Sequence, residues 1–88
     1  MPSISFFFGI TVWMYFFDNE QHHKPHIHAK YGEFEASYSL DGELLEGSLP
    51  RKQHRIVLGW LEIREDELRI NWDRAVRGEA IDKIEPLK

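Results

Sequence analysis

The chain has 88 residues, a net charge of −4 and no cysteine, and 14% of it is aromatic. Without cysteine there is no disulfide, thiolate metal site or cysteine nucleophile, and a cytoplasmic, reducing compartment is the natural reading. The acidic balance excludes the simplest non-specific nucleic-acid binder, which would be basic, and the length supports one core, so residues 1–88 are expected to form a single domain.

Met1-Pro2-Ser3 places no basic residue ahead of the first apolar run and no small-residue cleavage site follows, so no signal peptide is expected. The uncharged run from Ile4 to Phe17 is 14 residues long, too short to cross a bilayer, and no membrane association is expected. Its β-branched and aromatic content predicts strand, with Gly9 as a bulge or turn and Asp18-Asn19 as a turn. Phe6-Phe7-Phe8 with Trp13, Tyr15, Phe16 and Phe17 exceeds what one face of a small sheet can hold. One aromatic face is therefore expected to stay exposed as an interface.

His22-His23-Lys24-Pro25-His26-Ile27-His28 follows, with four of the chain's five histidines. Pro25 holds the chain extended, and on a strand His26 and His28 share one face with α-carbons about 6.6 Å apart. Two imidazoles so placed can act as acid and base. With Lys24, Lys30, Arg51 or Arg55 gripping phosphate, and His54 in support, they could cleave RNA through its 2′-hydroxyl. They can also begin a site for zinc or another divalent transition metal, joined by His22 or His23, or by Asp18, Glu33, Glu35 or His54. An H-x-H pair alone specifies neither chemistry, and the third reading is that these histidines lie at a loop-to-strand junction and only hydrogen-bond and pack.

Ile27 to Tyr31 and Phe34 to Ser39 read as strands around a Gly32-Glu33 turn. Phe34, Ala36 and Tyr38 are expected inside, with Glu35, Ser37 and Ser39 in water. Asp41-Gly42 signals a hairpin into the next strand, Glu43 to Gly47. Residues 31–50 hold five acids and no base, and Arg51, Lys52 and Arg55 then form a basic cluster.

Ser48-Leu49-Pro50 is expected to open a helix, with Ser48 as its cap. Val57, Leu61, Leu68, Trp72 and Ala75 form one helical stripe flanked by Ile56, Trp60 and Ile63, with Trp60 and Trp72 as core anchors. A helix from Arg51 to Arg77 would be about 40 Å long, more than a domain this size spans, so a break is expected near Ile63 to Asp66. Gly78 ends the helix, and Ile81 and Ile84 are expected to pack back on the body. Strands first and helix after give an α+β fold: an antiparallel meander of four to five strands, followed by one broken helix or two consecutive helices packed on the sheet.

Several of these segments together resemble a small bacterial family known as domain of unknown function 4160. They are Ile4-Ser5, Phe8-Gly9-Ile10, Met14-Tyr15, Lys24-Pro25-His26-Ile27-His28-Ala29-Lys30-Tyr31-Gly32, Gly47-Ser48-Leu49-Pro50, Leu58-Gly59-Trp60 and Glu67-Leu68-Arg69-Ile70-Asn71-Trp72. Lys24 stands where the family has a proline, and the pair His22-His23 ahead of it is outside the pattern, so His26 and His28 carry more weight. The resemblance implies a two-gene, toxin–antitoxin-like setting and a dedicated small protein partner. It implies no particular reaction. RNA and a homodimer stay open as alternatives to that partner.

Overall fold

The computed structural model describes residues 3–14 and 24–87. Five strands, β1 (Ser3–Phe7), β2 (Ile10–Trp13), β3 (His26–Tyr31), β4 (Phe34–Ser39) and β5 (Leu44–Ser48), precede one helix, α1 (Arg51–Val76). The strands pair antiparallel in chain order, β1-β2-β3-β4-β5, as a meander. The expected α+β architecture is what forms.

Turn chemistry fixes the β1–β2 and β3–β4 hairpins. Phe8 (φ 49°) and Gly9 (φ 78°) are the two central residues between β1 and β2, and two positive φ values in a two-residue loop match the twist of the flanking strands. Gly32-Glu33 closes the β3–β4 hairpin, with the positive φ on Gly32. Register then sorts side chains by face. Phe7, Ile10, Val12, Ile27, Ala29, Ala36 and Tyr38 share one face and are buried. Onto it α1 lays Val57, Trp60, Leu61 and Leu68, with the Trp60 ring 5.0 Å from Phe7.

Three expectations are corrected. Helix α1 is continuous over 26 residues, because length alone cannot break a helix in which Glu62-Ile63-Arg64-Glu65-Asp66-Glu67 holds neither Gly nor Pro. The ion pairs Arg64–Glu67 and Arg69–Glu65 also staple that stretch. Ser48 does not cap the helix: it closes β5, and Pro50 is the flanking residue, with no side-chain cap. Phe34 is 49% exposed, whereas Ser37 and Ser39, expected in water, are buried. Phe34 is the first residue of its strand, beside the turn, and the two serines share their face with His26 and His28, which are buried as well.

The tail packs back as expected. Ile84 is buried, and its N–H donates to the Ile4 carbonyl at 2.8 Å, covering the outer edge of β1. Asn71, buried on α1, donates from Nδ2 to the Asp82 carbonyl at 2.8 Å and accepts the Asp82 N–H at 3.1 Å. Trp60 Nε1 donates to the Glu85 carbonyl at 2.9 Å. No helix among the described residues is long and apolar enough to cross a membrane.

Candidate functional site

Strand alternation sends Ile27 and Ala29 toward α1 and sends His26 and His28 to the other face, where both imidazoles are buried. Their rings meet edge to face at 5.3 Å. Trp13, paired with His28 across β2–β3, stacks on it at 5.8 Å, and Trp72 of α1 lies 5.2 Å from His26. Trp13, His28, His26 and Trp72 therefore form a row of four rings. His26 Nδ1 donates to the Lys24 carbonyl at 2.7 Å. A carbonyl can only accept, so this bond puts a proton on Nδ1 and makes Nε2 the acceptor nitrogen of the neutral ring. His28 Nδ1 shares a hydrogen bond of 3.1 Å with Ser37 Oγ.

The mouth of this row is held by ions. Lys24 pairs with Glu43 at 2.6 Å and lies 3.8 Å from Asp41, and the bond to Glu43 raises the Lys24 ammonium above its ordinary range. The Ser39 hydroxyl donates to Asp41 and lowers the pKa of its carboxyl. The Leu40 N–H donates to the Pro25 carbonyl at 3.1 Å. Together these bonds tie the entry to β3 against the β4–β5 turn.

The other candidates lie elsewhere. His54, on α1, shares a hydrogen bond of 2.9 Å with the Tyr38 hydroxyl on the helix-covered face, and burial pushes the Tyr38 phenol up. Arg51 and Arg55, with Lys52 and Ile56, line an open depression at the start of α1; none of the four belongs to the histidine row. Lys30 and Glu35 face each other on β3–β4, both exposed, and Glu33 is in the turn. Asp18, His22 and His23 lie outside the described residues. Among the described residues no three His, Asp or Glu side chains converge as a metal site. The structure thus joins His26 to His28, places Lys24 near them, and separates both from His54, Arg51 and Arg55.

The sequence led to an expectation of one exposed aromatic face; among the described residues the exposed rings gather instead at the opposite end of the sheet. Phe6 is 63% exposed and Phe8 57%. Phe34 stands on the neighbouring hairpin, whose Tyr31 covers Gly9 so closely that a Cβ there would be 3.1 Å from the ring. Phe6 shares the histidine face, Phe34 the helix face, and Phe8 is the tip between them. The missed signal is Phe8-Gly9 as a two-residue turn, which forces Phe8 outward.

A family model described as "Domain of unknown function (DUF4160)" matches residues 9–73, and the chain belongs to that family. The match takes in β2 through most of α1 and leaves β1 and the tail outside. No curated protein matches the chain, and no solved structure does.

Proposed function

We propose that this DUF4160 member is a cytoplasmic binding protein that holds a small protein partner on the aromatic end of its sheet, as one half of a two-gene, toxin–antitoxin-like module. The observation that carries the reading is Phe8: a bulky aromatic residue held at φ 49° with its side chain 57% exposed. An L-residue in that region costs roughly 1–2 kcal/mol, and Asn or Gly would fill the turn more cheaply. More than half of the residue is left uncovered by its own chain, and a partner that buries the ring would offset the strain. Phe6 and Phe34 flank this end on the two faces of the sheet, and aromatic anchors of this kind dominate protein interfaces. The paired setting that the family resemblance implies supplies the partner's nature, and the net charge of −4 favours protein over nucleic acid.

A hydrolytic role would need His26 and His28 to reach a substrate, and both are buried. The test is co-expression with the product of the adjacent gene. A complex that survives gel filtration at micromolar concentration, and is lost in Phe8→Asn, is expected; separate elution of the wild-type proteins overturns the reading.

A further inference from the structure

The outward face of α1 holds three features that the fold itself does not use. Gly59 is exposed in the helix interior, and a Cβ there would meet nothing within 4 Å. Glycine at such a position costs roughly 1 kcal/mol against alanine, and no contact in the chain requires it. Ile63 is 61% exposed, one turn on. The charges are the third feature. Arg64, Arg69, Arg74 and Arg77 each pair with an acid of their own chain, whereas among the described residues Arg51, Lys52, Arg55, Glu62 and Asp66 make no ion pair. The unpaired bases lie before Gly59, and the unpaired acids Glu62 and Asp66 after it. Bases in a first turn also oppose the helix dipole.

We infer that α1 pairs with the α1 of a second copy of this chain, antiparallel, on a two-fold axis at Gly59. In such a pair, residues at equal or nearly equal distance before and after Gly59, and on the same side of the helix, meet. Lys52 and Asp66 are seven residues to either side; Arg55 falls four before and Glu62 three after; Ile56 falls three before and Ile63 four after. Lys52 and Arg55 therefore each meet an acid of the other copy, and Ile56 meets the other copy's Ile63, every contact occurring twice by symmetry; Arg51 lies outside the match. At about 100° per residue these side chains fill an arc of roughly 120° centred on Gly59. The glycines at the crossing let the axes approach to the near end of the usual 8–10 Å range. Charge complementarity selects a second copy as the occupant, because one surface presents both halves of the match. The residues that make this match are not those of the aromatic end, Phe6, Phe8 and Phe34, so different substitutions test the dimer and the partner complex.

Sedimentation of the tag-free full chain, run as a concentration series, tests the pairing. Wild type should sediment as a dimer at micromolar concentration and dissociate as salt rises. Arg55→Glu, which turns two attractions into repulsions, should raise the dissociation constant about tenfold. The swap Arg55→Glu/Glu62→Arg should restore it. Gly59→Leu should give a folded monomer, verified by circular dichroism. A wild type that stays monomeric throughout overturns the inference, as does a dimer that ignores Arg55→Glu or that the swap fails to rescue. So would monomeric wild type whose partner complex is lost in Gly59→Leu, which would assign the face to the partner.

Discussion

Gly47 is the backbone position on which the β4–β5 pairing depends, and Gly47→Ala measures that dependence. Gly47 has φ 73°, and a Cβ there would stand 2.2 Å from the Glu35 carbonyl oxygen and 3.1 Å from the Ala36 Cα. Two costs add. The left-handed conformation costs an L-residue roughly 1–2 kcal/mol. Relieving the clash requires β5 to move about 1 Å away from β4, because a carbon–oxygen contact settles above 3 Å, and the neighbouring ladder bonds are worth about 1 kcal/mol each. The neighbours that cause the clash are main-chain atoms and cannot turn aside. The sum is roughly 3–4 kcal/mol, which for a domain of this size lowers Tm by about 12–30 °C. Thermal unfolding followed by circular dichroism reads it directly. A drop of less than about 4 °C, under 1 kcal/mol, would show that β5 does not run against Glu35 as described.

Phe8→Asn should hold or raise Tm, since Asn-Gly suits the turn, and should abolish partner binding; a fall in Tm with binding intact refutes the strain reading. Asn71→Leu removes both bonds to the Asp82 backbone and should cost about 2–3 kcal/mol. It should also expose the tail to limited proteolysis near Asp82, and a wild-type cleavage pattern would refute the clamp. Because burial raises the Tyr38 phenol, the protonated form is favoured in the folded chain. Its stability is fully present below the unfolded value near pH 10 and is lost as pH rises through the raised value. Tyr38→Phe should flatten that alkaline limb in chemical denaturation, and an unchanged limb refutes the assignment.

Local rules made most of the sheet legible. Gly32, Asp41-Gly42 and the alternation of β3 and β4 mark the strands, and the stripe from Val57 to Trp72 marks the face of α1 that meets them. The misplaced faces of Phe34, Ser37 and Ser39 share a cause, since they depended on what lies across a gap rather than along the chain. Alternation says that Ser37 and Phe34 lie on opposite faces, but not which face is covered where. Coverage is set by what packs on each face, as where Ser37 meets the buried His28 imidazole. The break expected near Ile63 came from a size argument, whereas the local residues all favour helix. His26 and His28 were legible as a pair because period two is a backbone property. Trp72, 46 positions along the chain from His26, was not.

That row also supports a structural reading of the histidines. A leucine at either position would fill space, but it would leave the Lys24 carbonyl or the Ser37 hydroxyl without its imidazole partner. Imidazole does both: its nitrogen satisfies the buried polar group, and its ring faces pack between Trp13 and Trp72. On this reading His26→Ala and His28→Ala each remove a buried ring and a buried hydrogen bond, so each should cost about 2–4 kcal/mol. The variants should still form the partner complex at temperatures where they remain folded. Catalytic or ligating histidines behave in the opposite way, with function lost while the fold persists. Measuring Tm and complex formation on the same preparations separates the two. A His28→Ala protein with wild-type Tm and no complex would show that this face, and not the aromatic end of the sheet, does the work.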